Sequence, residues 1–112
     1  MTLMTKYVIM FGRIESGNGN QFVDSFDFGL EQSLLCDTLE DAIKERRKIT
    51  DRIVKDFKKE LNNEYTIEKE VGIIYGITND IEVNVYYKGD LIIQTICRIG
   101  EVFWNESSTT IK

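Results

Sequence analysis

The sequence of 112 residues contains no histidine and no proline. Histidine is the usual general base near neutral pH, a common zinc ligand and the proton carrier of imidazole-based triads. Without it, an enzyme built on this chain would depend on carboxylates, lysines or tyrosines. No motif favours such an enzyme, so the sequence predicts a non-enzymatic protein that uses no cofactor and no metal.

Cysteine is scarce, and long hydrophobic runs are missing. Cys36 and Cys97 are the only cysteines, which is too few for a structural zinc site. Near the start of the chain, five consecutive apolar residues occur at positions 7–11. A secretory signal needs about seven apolar residues and a membrane span about twenty. These counts predict a cytoplasmic protein with reduced, buried cysteines and no contact with a membrane.

Positive charge is also scarce, and it is unevenly placed. The formal net charge is −5, yet residues 44–59 hold eight of the 14 basic residues and three acidic ones. The other 96 residues therefore carry a balance of −10. Two interpretations of the basic stretch compete, namely a grip on phosphate or an acidic partner, and the solvated face of an ordinary helix.

The spacing of the basic residues favours the solvated face. On a helical wheel they lie opposite the apolar residues, and acids alternate with them at helical contact spacing. The expected pairs are Glu40 with Lys44, Arg47 with Asp51, Asp51 with Lys55, and Arg52 with Asp56. A nucleic-acid-binding helix usually keeps carboxylates away from its basic face, because each one repels phosphate.

A long helix over residues 38–61 is the clearest structural prediction. Thr38 followed by Asp41 resembles a capping box, with Asp37 as the rival N-cap. Apolar residues then recur at helical spacing up to Leu61, and the two asparagines at 62–63 favour an end there. Arg46 and Thr50 fall inside the apolar stripe, where Arg46 would extend to its edge or pair with a carboxylate from the sheet.

Strands are predicted on both sides of this helix. Residues 6–14, 22–28, 71–77, 81–86 and 90–99 have strand composition, and 100–104 adds a final edge segment. Residues 30–36 form a short strand or an irregular bridge, and 64–70 a loop or a strand. The prediction is a single α+β domain over residues 1–112, with an antiparallel sheet of about five strands packed on the helix. The tail 105–112 is polar and expected to be frayed.

The last two strands are predicted to form a hairpin. A three-residue loop at 87–89 would place Gly89 where a left-handed conformation is needed. That register pairs Val85 with Leu91 and Val83 with Ile93. The apolar side chains Ile81, Val83, Val85, Leu91, Ile93 and Cys97 then share one face, and the polar side chains Glu82, Asn84, Gln94 and Arg98 share the other.

Candidate binding residues follow from charge and from aromatic side chains near strand ends. The glycine-rich segment 15–21 lacks the Lys-Ser/Thr pair of a phosphate loop, so it is interpreted as a hairpin tip. The carboxylates Asp24, Asp27 and Glu31 lack the spacing of a calcium loop. For a protein partner the candidates are Asp24, Asp27, Glu82, Tyr86, Phe103 and Trp104. For a small anion they are Arg13, Arg46 and Arg98.

The function predicted from these features is that of a small acidic interaction protein. Its partner would be a protein with a basic surface, such as a nucleic-acid-handling enzyme, towards which negative charge steers association. Composition and the absence of catalytic motifs favour a phage or mobile-element inhibitor of the anti-defence type. The alternatives are an anionic-ligand or nucleotide-binding domain and a nucleic-acid binder that uses the basic helix face 44–59. A homo-oligomer is also compatible with the sequence.

Overall fold

Residues 3–16, 22–24 and 34–105, which the computed structural model describes, form six strands and one helix. In chain order the elements are β1 (Leu3–Ser16), β2 (Phe22–Asp24), β3 (Leu34–Cys36), α1 (Leu39–Glu60), β4 (Tyr65–Tyr75), β5 (Thr78–Tyr87) and β6 (Asp90–Asn105). Strands thus precede and follow a long helix, and the predicted α+β class is confirmed.

All strand pairs are antiparallel, and the strand order is β2-β1-β6-β5-β4. The short strand β3 pairs with β1 as well, further along the edge that β2 occupies. The longest pairing joins β1 to β6, from Leu3 opposite Asn105 to Glu15 opposite Ile93. The first and last strands therefore meet in the middle of the sheet, and the β4–β5 hairpin forms one side of it, with β4 as the edge strand.

The helix begins as the sequence predicts. Thr38 is the N-cap, and its hydroxyl accepts a hydrogen bond from the Asp41 backbone N–H at 3.1 Å. The C-cap is Leu61, whose N–H donates to the Phe57 carbonyl at 2.8 Å. Asn62 then closes the following turn, because its side-chain oxygen accepts from the Glu64 N–H at 2.9 Å. Acidic residues in the first turn and lysines in the last turn suit the helix dipole.

The helix buries one stripe against the sheet, through Ala42, Arg46, Thr50 and Phe57. Two groups of buried apolar side chains form the core between the two layers: Ile9, Ala42 and Ile99 in one, and Phe57, Val83 and Val85 in the other. The polar Thr50 is tolerated there because its hydroxyl bonds back to the carbonyls of Arg46 and Arg47 at 3.0 and 3.1 Å.

The predicted register of the β5–β6 hairpin is wrong. Val85 pairs with Ile93 and Val83 with Thr95, and Tyr87 and Asp90 close a turn of two residues. An irregularity between Val85 and Tyr86 absorbs the difference. The extra residue of this bulge is Ile92 in β6. The partners of Val83 and Val85 are two residues further along β6 than predicted, so both side chains keep the predicted face. Leu91 leaves the predicted apolar set, because it lies opposite Tyr86.

Several predicted boundaries also change. Residues 65–75 form one continuous strand, so the polar segment left open as loop or strand belongs to β4. Residues 100–104 continue β6 and pair with β1, and residues 34–36 form the short strand that had a bridge as its alternative. The glycine-rich stretch at 17–21, the second half of the predicted strand 22–28 and the tail after Asn105 lie outside the described residues.

Candidate functional site: the acidic face and the β4–β5 hairpin end

Four carboxylates line the sheet on the side away from the helix. Glu70 of β4 lies directly opposite Glu82 of β5. Alternation along the two strands brings Glu68 and Asp80 to the same side, and Val83, which follows Glu82 in β5, points to the helix core. We call the group Glu68, Glu70, Asp80 and Glu82 the acidic face. Like charges directly across a ladder repel, so other groups must hold Glu70 and Glu82 in place.

Amide and phenol donors stabilise these carboxylates. Asn84, which is 3% exposed, donates through Nδ2 to both Glu70 and Glu82. Tyr86 donates to Glu70 at 2.6 Å, and Gln94 donates to Glu82 at 3.0 Å. The hydrogen bonds from Asn84 and Tyr86 lower the pKa of Glu70, and the bond to Glu70 raises the pKa of Tyr86 to about 12. Glu70 therefore keeps its negative charge at neutral pH.

Asp80 differs from the other carboxylates because it has a basic partner. It is 1% exposed, and Arg98 grips it through Nε at 3.1 Å and Nη2 at 2.9 Å. The Arg98 guanidinium also lies 4.1 Å from the centre of the Tyr75 ring. These hydrogen bonds raise the pKa of Arg98. The pair joins β5 to β6 where their backbone pairing ends.

A bulge in β4 separates the acidic face from the end of the hairpin. Val71 pairs with Ile81 and Ile74 with Asn79, so Gly72 and Ile73 together lie opposite Asp80. A β-carbon on Gly72 would lie 2.5 Å from a carboxylate oxygen of Glu82. A larger residue there would displace the Glu82 carboxylate from its position against the β4 backbone.

Beyond the bulge the hairpin exposes apolar side chains. We call residues 71–77 the hairpin end. Its large hydrophobic side chains are between 43% and 73% exposed, and they are Val71, Ile73, Ile74, Tyr75 and Ile77. Such a concentration on one short segment is typical of an interaction surface. Sequence reasoning interpreted 71–77 only as a strand. The sequence did contain a signal for exposed apolar side chains here, because apolar residues are neighbours in this segment instead of alternating with polar ones. A strand with one buried face can bury only every second side chain, so some of them must be exposed.

The structure brings two of the predicted protein-binding residues together. Glu82 and Tyr86 both bond to the acidic network. Phe103 is 69% exposed and lies seven residues along β6 from the partner of Glu82, which is roughly 23 Å of strand. Asp24 belongs to β2 opposite Ile14, and Trp104 belongs to β6 opposite Met4. Asp27 lies outside the described residues.

The three arginines proposed for an anion do not converge. Arg46 is buried on the helix side of the sheet, whereas Arg98 grips Asp80 on the other side. Arg13 lies 5.4 Å from the centre of the Phe57 ring and 3.5 Å from the Glu15 carboxylate. Phe57 is eleven residues from Arg46, which corresponds to about 16 Å along a helix.

The basic face of the helix is exposed, as its spacing predicts. Its ion pairs differ from those expected. Lys48 pairs with Glu45 at 3.3 Å, and Asp51 pairs with Lys69 of β4 at 2.7 Å. Asp51 therefore ties the helix to the sheet instead of bonding along the helix.

Both cysteines are free. Burial raises the pKa of the Cys97 thiol to about 11, so this thiol is protonated and unreactive at neutral pH. Within residues 3–16, 22–24 and 34–105, no group of three or more acidic or cysteine side chains is arranged to hold a metal ion. The helix α1 is too polar to cross a membrane, and no other helix occurs in the described part of the chain.

Comparisons of the chain with protein-family models, curated proteins and solved structures found no match. The functional argument therefore rests on the chemistry of the two surfaces described above.

Proposed function

We propose that the protein is a non-enzymatic interaction protein that binds a partner protein through the hairpin end and the adjoining acidic face. The observation that carries this proposal is the exposure of five large apolar side chains at the hairpin end. In water, such a surface is stabilised when a complementary apolar recess covers it.

The acidic face indicates the charge of the partner. Glu70 and Glu82 adjoin the hairpin end through Gly72 and are fixed by neutral donors. An apolar contact rimmed by carboxylates complements an apolar recess rimmed by Lys or Arg. The chain as a whole has a net charge of −5, which favours approach to the same kind of surface.

The more specific form of the proposal is an inhibitor of a nucleic-acid-handling protein, of the kind with which phages and mobile elements counter host defence. Proteins that handle nucleic acids have basic surfaces that bind phosphate. An acidic protein docked on such a surface would compete with the nucleic acid. The cytoplasm is the compartment where this competition would occur.

The edge strand β4 favours side-chain docking over addition of a strand from the partner. Lys69 lies in the middle of β4, and the bulge at Gly72 and Ile73 interrupts its edge. Charged residues and bulges are the features by which natural edge strands resist pairing with other chains. A partner would therefore contact the side chains of the hairpin end instead of pairing with the backbone of β4.

The test begins with capture of the partner from a lysate and continues with the purified pair. The double variant Ile73→Asp with Ile74→Asp should abolish binding, and Glu70→Lys with Glu82→Lys should weaken it and reduce its dependence on salt. Reversal of Glu82 should weaken binding more than reversal of Lys48 and Arg52, which are exposed on the helix. Association should slow as salt rises, because screening acts over about 8 Å at 0.15 M.

Two results would contradict the proposal. One is a partner whose affinity is unchanged by the hairpin-end variants while all variants keep the wild-type circular dichroism spectrum. The other is sub-micromolar binding of nucleic acid that Lys48→Glu with Arg52→Glu abolishes, which would assign the function to the basic helix face instead.

A further inference from the structure

A crevice between the helix and the β4–β5 hairpin contains a buried arginine to which the described part of the chain supplies no ion-pair partner. The crevice has a volume of about 170 Å³, and its lining residues are Ile43, Arg46, Arg47, Thr50, Lys69 and Ile81. It lies on the helix side of the sheet, away from the acidic face. Three of its six lining residues are cationic, in a chain whose net charge is −5.

Arg46 is 6% exposed, and its Nη1 donates to the Asn79 carbonyl at 2.9 Å and to the Thr78 hydroxyl at 3.4 Å. Both acceptors are neutral. Within the described residues no carboxylate lies within ion-pair distance of Arg46. Asp80 acts on Arg46 only at longer range, and both of its oxygens are taken by Arg98.

A buried guanidinium without a counter-ion is unfavourable, because burial removes the water that solvates its charge. Burial accordingly lowers the pKa of Arg46. Among the residues that the structure describes, Arg46 donates only through Nη1, and its Nε and Nη2 donate to none of them. Arg47, which is exposed, and Lys69 add positive charge at the same crevice.

We propose that this crevice binds a small oxyanion, specifically a phosphate group, with Arg46 as its buried counter-ion and with Arg47 and Lys69 at its rim. The guanidinium fork suits two oxygens of one phosphate. Pockets for drug-sized ligands measure about 300–1,000 Å³, so the crevice has room for the phosphate group itself and would leave the rest of a larger ligand outside. This site is independent of the hairpin end.

Asp51 provides a sharp test, because it competes with the anion. Its carboxylate bonds to Lys69 Nζ at 2.7 Å and is 64% exposed. An incoming phosphate must either displace it or bind beside a like charge. Asp51→Asn should therefore tighten phosphate binding, whereas Arg47→Ala should weaken it. Lys44 is exposed on the same helix but does not line the crevice, so Lys44→Ala is the matched control for loss of one positive charge.

Each variant is titrated with sodium phosphate at constant ionic strength. Binding is measured by isothermal titration calorimetry and by the line width of the phosphorus NMR signal. The wild type should bind one phosphate per chain. Arg47→Ala should weaken that binding by about tenfold or more, since it removes one charge-assisted hydrogen bond at the rim. Asp51→Asn should strengthen it severalfold, and Lys44→Ala should leave it unchanged. All three variants change exposed side chains and keep the buried Arg46, and a circular dichroism spectrum of each checks that it is folded.

A parallel titration with a nucleoside monophosphate distinguishes the sources of the phosphate group. Tighter binding than that of inorganic phosphate would indicate a ligand that carries the group, and weaker binding would indicate free phosphate; both results support the site. The proposal is overturned if the wild type shows no saturable binding, or if Arg47→Ala, Asp51→Asn and Lys44→Ala all bind phosphate as the wild type does. The latter result would mean that the phosphate binds somewhere other than this crevice.

Discussion

Phe57 and Lys55 lie two residues apart on α1 and have opposite surroundings. Phe57 is 9% exposed and packs with Val83 and Val85, whereas Lys55 faces solvent. Phe57→Ala should lower the free energy of unfolding by about 3–5 kcal/mol, because it leaves a cavity in the core. Lys55→Ala should lower it by only about 0.2–1 kcal/mol, as for an exposed charge. Urea denaturation of the two variants measures both values, and similar losses would mean that another face of the helix packs on the sheet.

The hydrogen bond between Tyr86 and Glu70 makes the stability of the protein depend on pH. This bond raises the pKa of the Tyr86 phenol from 10.0 to about 12. A pKa raised by folding means that the native state holds the proton more tightly. This contribution to stability is therefore complete below about pH 10 and is lost as the pH rises towards about 12.

The corresponding experiment replaces the acceptor. In Glu70→Gln the pKa of Tyr86 should fall towards that of an ordinary tyrosine, because the charged acceptor is gone. Titration of the tyrosinate absorbance measures this change. Glu68→Gln is the control, since Glu68 acts on Tyr86 only through its charge and makes no hydrogen bond to it. An unchanged titration in Glu70→Gln would mean that the Tyr86–Glu70 bond does not persist in solution.

At the scale of elements, the turn between β5 and β6 depends on two residues with positive φ. Lys88 has φ of 51° and Gly89 has φ of 87°, as in the two-residue turns that suit the twist of a hairpin. Gly89→Val should lower the free energy of unfolding by at least about 1 kcal/mol, because a β-branched residue is strained at positive φ. Lys88→Asn should raise the melting temperature slightly, since Asn tolerates this region better. A Gly89→Val variant that melts like the wild type would contradict the two-residue turn.

The bulge in β4 also depends on one residue, Gly72, and the effect of replacing it can be measured. A β-carbon on Gly72 would meet Glu82 Oε2 at 2.5 Å and the Asp80 Cβ at 3.2 Å. Gly72→Ala should displace the Glu82 side chain and weaken its bonds from Asn84 and Gln94, at a cost of about 1 kcal/mol. In a Glu82→Ala background the same change should cost less, because the obstacle is absent. Additive effects in this double-mutant cycle would show that Gly72 and Glu82 are not in contact.

At the scale of the whole molecule, charge distribution predicts weak binding to nucleic acid. The residues outside 44–59 carry a balance of −10, which repels phosphate, and Asp51 interrupts the basic helix face. Non-specific DNA binding by basic proteins reaches about 10⁻⁴–10⁻⁶ M at physiological salt, and this protein should bind duplex DNA more weakly. Anisotropy titrations with DNA and RNA measure the affinity. Tight binding with a steep dependence on salt would instead identify the helix as a nucleic-acid-binding surface.

Much of the architecture was predictable, because local rules govern it. The N-cap Thr38 and the apolar stripe of α1 follow from helix periodicity and capping. The alternation of Val83 and Val85 with Asn84 assigns the faces of β5. The partners in the β5–β6 hairpin were not predictable in the same way, since an extra residue in β6, Ile92, shifts the pairing: Val83 and Val85 keep their predicted face, but Leu91 does not.

The candidate sites were less predictable than the fold. Glu82 and Tyr86 were selected from sequence and share one network, but Glu70 and Asn84, which complete it, were not selected. Arg46 was selected for an anion together with Arg13 and Arg98, whereas the crevice joins it to Arg47 and Lys69. Each of these groupings depends on which strands are neighbours.

The sequence by itself determined the helix, its buried face, the alternation of the strands and the absence of imidazole chemistry, because these depend on residue type and on contacts a few positions apart. Only the tertiary structure decided that β1 pairs with β6 across nearly the whole length of the chain. It also decided that the β4–β5 hairpin lies at the outer side of the sheet with its apolar end exposed. The physical reason is that any strand with a suitable face can pair with any other. The choice among them is made by the total area buried and the polar groups satisfied in the complete fold, which no local pattern contains.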